Sequence, residues 1–354
     1  MSRGFANPLT ELAEFEELQQ SLKKKQGPVQ VSGCLDSLKV HLMQETMADR
    51  PWKLAVTYDD ARAKEIYDDF GCFRDNVWLY PAKDLLFYSA DIHGNLMTRQ
   101  RIAVWRHLME EKEGVVVTTL DGLMDHLLPL VFLKQQAVTV ENGQIMDLDE
   151  WKERLTALGY ERTAQVDGMG QFSIRGGIVD IFPLTEEVPV RIELWDDEVD
   201  SIRSFDPESQ RSVEQLEKIT IYPSAETILT KKQLEAGIER LEKEEKEYEA
   251  ALRAKHQIEE ASRIRGIIKE LTEGIRQGWK RDGLDAYIRY FCPETVSFLD
   301  YFPAGDTLIC LDEPARLKEK GETVEQEFRE SMIHRLEKGY LLPGQTELLY
   351  AGTQ

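Results

Sequence analysis

A stretch near the amino end, VSGCLDSLKV (31–40), has residues in the order of a phosphate-binding loop. Such a loop, GxxxxGK(S/T), needs glycines whose backbone N–H groups contact phosphates, a lysine for the β and γ phosphates, and a hydroxyl for Mg²⁺. Counted from Gly33, the chain has Leu38 at the second glycine, Lys39 at the lysine and Val40 at the hydroxyl. Leu38 adds a side chain where the backbone must curl around a phosphate, and Val40 cannot bind a metal ion. We therefore predict a degenerate nucleotide loop.

An acidic pair, Asp312 and Glu313, follows the apolar run LICL (308–311) and could supply the second half of a nucleotide site. Carboxylates at a strand end can hold Mg²⁺ for phosphoryl transfer. Without a working loop, we predict that they cap the strand end and that the chain does not hydrolyse nucleotides. The histidines and cysteines show no metal-ligand spacing, so we predict no metal site.

The segment from Pro189 to Trp195 alternates with period two, which is typical of a half-buried strand. Arg191, Glu193 and Trp195 then share the face that an antiparallel sheet leaves to solvent. If the run QFSIRGG lies alongside, Arg175 joins Arg191 in one basic spot. Trp and Arg are enriched in protein-protein hot spots, which indicates an interface. The alternative is that Arg191 and Glu193 make cross-strand pairs and Trp195 caps a small core.

The elements that position these residues fall into three types. Four apolar runs, VQVSG, KLAVTY, NVWLYPA and GVVVTT, alternate with helical patterns, which predicts an α/β domain with a parallel sheet covered by helices on both faces. From about residue 125 period two dominates, which predicts an antiparallel sheet with few helices. Residues 225–287 are helical by pattern, and the run around residues 305–311 could return a strand to the first sheet.

Composition limits the function classes. The 354 residues include 42% hydrophobic and 31% charged residues, with a formal net charge of −21. An acidic surface repels the phosphate backbone, so we expect little direct DNA binding. No apolar stretch has membrane-spanning length, and the amino end is polar and acidic and lacks the basic and apolar regions of a signal peptide, so we expect a cytoplasmic protein without membrane contact.

The run RGGIVDIFPLTEEVPVRIELWDDEVDSIRSFDPESQRSVEQL (175–216) resembles the excision-repair helicase UvrB and, more closely, the amino-terminal region of the transcription-repair coupling factor family Mfd. FLDYFP before an acidic strand end recurs in both. The resemblance implies a degenerate RecA-like domain (1–124 and 305–354), an inserted, mainly antiparallel α+β domain that binds UvrA (125–224), and a small helical insertion (225–304).

The resemblance also implies roles for single residues. Arg175 and Arg191 match arginines of the UvrA-contacting surface, Trp195 matches an aromatic position of that surface in Mfd, and Glu193 matches an acidic contact residue of UvrB. Ser173 departs from UvrB, which has an arginine there. Asp312 and Glu313 stand at the Asp-Glu-x-His box of UvrB-like helicases, with alanine in place of the histidine.

The resemblance therefore implies a module that recruits UvrA to stalled transcription for nucleotide excision repair, without ATPase activity or a cofactor of its own. ATP and Mg²⁺ would belong to the motor domains of the family, and other domains would contact RNA polymerase and DNA, so we expect the chain to be a fragment. One alternative is a helicase or translocase fragment, or a UvrB-type enzyme, that retains nucleotide binding. Another is that the motor domains cover the UvrA contacts until transcription stalls.

Overall fold

The computed structural model describes residues 8–24, 27–46, 50–83, 94–278 and 283–351. The fold is α/β, with a four-stranded parallel sheet, a six-stranded mainly antiparallel sheet and a two-stranded sheet. Its helices are α1 (Ala13–Lys23), α2 (Asp36–Thr46), α3 (Asp60–Gly71), α4 (Gly94–Glu110), α5 (Leu130–Gln136), α6 (Leu148–Ala157), α7 (Lys231–Ala254), α8 (Ile258–Gln277), α9 (Ile288–Phe291) and α10 (Pro314–Glu337). In the described ranges, no helix is both long and apolar enough to cross a membrane.

The strands are numbered along the chain. They are β1 (Trp52–Thr57), β2 (Val77–Tyr80), β3 (Gly114–Thr119), β4 (Val138–Glu141), β5 (Glu161–Arg162), β6 (Gln171–Arg175), β7 (Ile178–Ile181), β8 (Val190–Trp195), β9 (Glu198–Phe205), β10 (Ser212–Leu216), β11 (Lys218–Ile221) and β12 (Thr307–Leu311).

The parallel sheet has the strand order β12-β1-β3-β2. Every residue of β1 and β3 is buried, because helices cover both faces, and such strands are continuous apolar runs. Residues of α2 and α3 pack against one face, where Val40 and Phe70 meet Val115. Residues of α4, among them Trp105, pack in the core that contains Val116. The predicted return of a strand is confirmed, since β12 pairs in parallel with β1.

One predicted strand is wrong. The run VQVSG forms neither helix nor strand, and Val29 and Val31 are exposed. A strand needs a hydrogen-bonded neighbour, and in the described ranges the run pairs with none of the strands. With only two valines around a glutamine, the run also offers little apolar surface to bury. The phosphate-loop-like stretch therefore begins from irregular backbone and not from a strand.

The six-stranded sheet has the order β10-β9-β8-β7-β6-β5 and carries the strand with the tryptophan. The condition that the strands of Arg175 and Arg191 lie side by side is not met, because β7 pairs with both β6 and β8 and separates them. The Gly176-Gly177 turn joins β6 to β7 as a hairpin, so the next strand along the chain takes the adjacent place. Helices α5 and α6 precede this sheet, and β4 pairs with β11 in the two-stranded sheet.

The helical stretch forms a hairpin of α7 and α8. A capping box between Thr230 and Gln233 begins α7, and Gly278, with φ of 74°, ends α8. Their facing apolar residues, including Leu241 and Ile268, form a separate core with Phe291 of α9. This core explains the long charged pattern of the sequence, since only one stripe of each helix is apolar.

A buried ionic cluster links α4 to segments that lie before α7 and before α9. Arg101 of α4 is fully buried, and its guanidinium donates to Asp125 at 2.7 Å and to Glu226 at 2.9 Å. Lys83 pairs with Glu226 at 3.1 Å and with Asp285 at 3.0 Å. Buried charges cost free energy unless they are paired, so these contacts favour one arrangement of the segments that supply them.

Candidate functional site

The arginines of the six-stranded sheet are organised around Asp180 of β7. Strand register places Ser173, Asp180, Arg191 and Arg203 in one row across β6, β7, β8 and β9. Paired residues of neighbouring antiparallel strands point to the same face. Asp180 is 0% exposed, so the centre of the row is a buried carboxylate.

Arg191 is held tightly on this carboxylate. Its Nε donates to Asp180 Oδ1 at 2.6 Å and its Nη2 donates to Asp180 Oδ2 at 2.9 Å, a bidentate pair. Its Nη2 also donates to Gln210 Oε1 at 3.2 Å, and its guanidinium lies 4.6 Å from the ring centroid of Phe205. The hydrogen bonds to Asp180 raise the pKa of Arg191 above its ordinary value. With a side chain 16% exposed, Arg191 is largely an internal anchor.

The face that carries Arg191 is only partly open to solvent, which differs from the expectation. Val166, Phe182 and Phe205 form a small core, and Arg191 stacks on Phe205 beside it. Gln210, in the loop between β9 and β10, donates to the carbonyl oxygen of Val166. Loops therefore cover the part of the face that lies away from the β8–β9 turn.

Arg175 reaches the same carboxylate from β6. Its Nη2 donates to Asp180 Oδ2 at 2.9 Å, while its side chain stays 51% exposed. Arg175 and Arg191 thus do form one basic spot, although a whole strand separates them, and Asp180 offsets one of the two charges. Arg175 is the member of the pair that a partner protein can reach.

Glu193 and Trp195 complete the exposed part of the face. Glu193 Oε2 accepts a hydrogen bond from Ser201 Oγ at 3.0 Å and lies 3.8 Å from Arg203 Nη2. Trp195 is 81% exposed and does not cap the small core. Each of the two interpretations of this strand therefore holds in part. Arg191 and Glu193 make cross-strand contacts, as the alternative predicted, whereas Trp195 is open to solvent, as the interface interpretation predicted. We call Arg175, Glu193 and Trp195 the exposed strip.

Sequence reasoning missed two participants in this surface, Asp180 and Arg203. The signal for Asp180 was present, since GGIVDIF puts one acid among apolar residues of a strand, where an unpaired charge would be costly. No comparable signal marks Arg203, because burial does not alternate along the second half of its strand.

The degenerate nucleotide loop and the acidic pair meet in space. Lys39 Nζ lies 3.1 Å from Asp312 Oδ1 and 2.5 Å from Glu313 Oε1. Gly33 has a positive φ of 81°, and Leu38 is partly exposed at the first turn of α2. Val40 is buried in the core between α2 and the sheet, so this position has a packing role.

Arg62 of α3 adds a second cation to Asp312. Its Nε donates to Asp312 Oδ2 at 3.0 Å, and Thr57 Oγ1 donates to the same oxygen at 3.3 Å. Burial would raise the pKa of Asp312, but hydrogen bonds from Arg62 and Lys39 outweigh burial and lower it. The charge of Asp312 is thus already balanced within the protein. In the described ranges, no group of His, Cys, Asp and Glu is arranged to hold a metal ion.

Comparison with known proteins finds one family model and a group of similar repair proteins. The UvrB interaction domain family matches residues 138–226, which include the exposed strip. The chain is 34% identical over 289 residues to the transcription-repair-coupling factor of Bacillus subtilis (strain 168), an alignment of 81% of this chain and 24% of that protein.

Two further relatives with the same description extend the match along the chain. The Staphylococcus haemolyticus protein is 30% identical over 329 residues, covering 91% of this chain and 27% of that protein. The Staphylococcus aureus (strain MRSA252) protein is 31% identical over 346 residues, covering 95% of this chain and 28% of that protein. The chain thus spans 24–28% of the length of these relatives.

Proposed function

Because this chain is an amino-terminal, UvrB-like region of the transcription-repair-coupling factor family, with a UvrB interaction domain at residues 138–226, we propose that it recruits UvrA to stalled transcription for nucleotide excision repair. The observation that carries the proposal is the exposed strip within the matched residues. Trp195 is exposed and Arg175 is half-exposed on the same face of the sheet, and tryptophan and arginine are the residue types enriched in binding hot spots.

In this proposal the residues of the strip have different tasks. Trp195 supplies apolar area, because 81% of its surface is open to a partner. Arg175 and Glu193 supply charge of opposite sign, which sets orientation and partner choice more than affinity. Arg191 supports the surface from inside by holding Asp180, which also fixes Arg175.

The test is binding of purified UvrA, measured by calorimetry on the intact chain. Trp195→Ala and Arg175→Glu should each weaken binding at least tenfold, about 1.4 kcal/mol. Val131→Ala is the matched control, since Val131 is an exposed apolar residue outside the matched domain. Unchanged affinity of both variants, with unaltered circular dichroism, refutes the assigned surface.

Arg191→Glu is a poor test of the same surface. It would place a second carboxylate against buried Asp180 at a side chain that is 16% exposed. Weaker UvrA binding by this variant would then report a disturbed sheet as well as a lost contact. Arg175→Glu avoids this difficulty, because the arginine can leave Asp180 while Arg191 keeps its bidentate pair.

We propose further that this chain does not hydrolyse ATP. The supporting contacts are those of Asp312 and Glu313 with Lys39 and Arg62, which use the acids that would hold Mg²⁺. Val40 has no hydroxyl, and its burial leaves it no access to a metal ion. RecA-like ancestry of the parallel sheet accounts for these residues as remains of a nucleotide site.

The second candidate function is an ATP-binding fragment of a DNA translocase or a UvrB-type enzyme. The observation in its favour is that Lys39 and the two acids still meet at the end of β12. An equilibrium titration with ATP and Mg²⁺ separates the two: micromolar affinity together with turnover supports this second function. RNA polymerase and DNA contacts of the longer relatives, in our proposal, lie outside this chain, whose net charge of −21 disfavours DNA.

A further inference from the structure

A row of three residues crosses the sheet beside the β8–β9 turn. Trp195 of β8 pairs with Glu198 of β9, and Glu198 also makes an antiparallel bridge with Ile145. Ile145 comes from the loop after β4, 50 positions before Trp195 in the chain. Residues that pair across antiparallel strands point to one face, so all three side chains share the face of the exposed strip.

The loop that carries Ile145 is fixed by its backbone. Gly143 N donates to Val199 O at 2.8 Å, Val199 N donates to Gln144 O at 2.9 Å, and Met146 N donates to Asp197 O at 2.7 Å. Met146, the next residue, is buried in the main core. Because the loop is already ordered, a partner that binds Ile145 pays little conformational entropy.

Ile145 is 62% exposed and Trp195 is 81% exposed, although both belong to ordered segments. Single exposed apolar residues are ordinary, but here two large ones flank one glutamate in a single row. The row continues the exposed strip, since Glu193 is two positions before Trp195 and Arg175 lies two strands away at the level of Glu193. Along this surface, basic Arg175 is followed by acidic Glu193 and then by the row that holds Trp195 and Ile145.

We propose that Ile145 and Trp195 act together as one apolar anchor of the docking surface, an inference that rests on the proposed binding of UvrA. The partner surface that fits is one pocket with apolar walls for both side chains and a hydrogen-bond donor for Glu198 between them, with an acidic group placed to meet Arg175. Ile145 and Trp195 both lie within the matched UvrB interaction domain, and their row continues the exposed strip, which favours UvrA as its occupant over a second copy of this chain.

The experiment is a double-mutant cycle with purified UvrA on the intact chain. Ile145→Ala should weaken binding about fivefold, and Ile145→Asp tenfold or more, as expected for a central contact. If the two side chains fill one pocket, Ile145→Ala in a Trp195→Ala background should cost less than about twofold, since contacts that share a pocket are not additive. Val213→Ala, an exposed apolar residue of β10, is the control.

The outcomes separate the two proposals. Weaker binding of the Ile145 variants, with the predicted coupling to Trp195, supports the anchor. Weaker binding of Trp195→Ala with unchanged binding of both Ile145 variants overturns the anchor and leaves the proposed function standing. Absence of UvrA binding by the wild-type chain overturns both. Hydrogen exchange of residues 142–146 and 197–199 checks that the loop stays paired, which is expected because its contacts are made by the backbone.

Discussion

Removal of Arg191 should destabilise the six-stranded sheet far more than removal of Arg175, although both contact Asp180. In Arg191→Ala, the buried carboxylate loses its bidentate partner and keeps one hydrogen bond from Arg175. In Arg175→Ala, the bidentate pair with Arg191 remains. The two variants delete the same side-chain type next to the same acid, so they differ in the burial of the arginine and in the number of hydrogen bonds it makes to Asp180.

The expected magnitudes follow from exposure. Breaking a buried ion pair by removing one partner costs about 3–5 kcal/mol, and the 16% exposure of Arg191 places it near the lower end. The 51% exposed Arg175 belongs with surface pairs, which contribute roughly 0–1 kcal/mol. The difference of about 2 kcal/mol corresponds to roughly a 30-fold difference in the opening equilibrium.

Hydrogen exchange with mass spectrometry measures the opening equilibrium of each segment separately. It therefore suits a chain with several hydrophobic cores, which need not unfold together. Peptides covering 171–195 should exchange about 30-fold faster in Arg191→Ala than in Arg175→Ala, with α7 and α8 as internal references. The double variant Asp180→Leu with Arg191→Met should recover much of the protection, since apolar replacement of a buried pair is often neutral. Equal loss of protection in the two single variants would refute the assignment of Arg191 as the anchor.

Two further predictions concern other parts of the chain. A Cβ at Gly237 would lie 2.0 Å from Phe291 Cδ1, so Gly237→Ala should cost about 1–3 kcal/mol by overpacking. Gly266 meets nothing within 4 Å, so Gly266→Ala should stabilise α8 by up to about 1 kcal/mol, and thermal unfolding compares the pair. The pKa of Asp312 is lowered from 3.8, so its stabilising effect is complete above that pH and lost as pH falls through the folded value. Asp312→Asn should therefore be less stable than wild type at pH 7 in urea titrations, and the gap should close below about pH 3.8; a constant gap contradicts this reasoning.

The pattern of apolar and polar residues in the sequence is enough to predict the main helices and strands. The apolar runs of β1 and β3 predict buried strands, because few other structures accept consecutive β-branched and apolar residues. The charged, leucine-containing pattern of residues 231–277 predicts the helices α7 and α8 for the same kind of reason, since its period matches a helix with one apolar stripe.

The local sequence pattern does not predict which strands are neighbours in a sheet. The sequence predicts that VQVSG and KLAVTY are both strands, but VQVSG is irregular, and one of the two neighbours of β1 is β12, about 250 positions later in the chain. In the same way, period two predicts the faces of β6 and β8 but not that β7 lies between them. Pairing depends on contacts distant in sequence, which a window of neighbouring residues does not contain.

For the candidate site, the sequence alone determined which residues have the right chemistry: Arg175, Arg191, Glu193 and Trp195 in one region, and Lys39 with the two acids in another. Only the tertiary structure decided their tasks. Loops and Asp180 bury Arg191 as an anchor, the turn leaves Trp195 open, and the loop after β4 brings Ile145 into the same row, on the far side of Glu198. The reason is physical: residue type fixes what a side chain can bind, whereas burial and long-range pairing fix what can reach it.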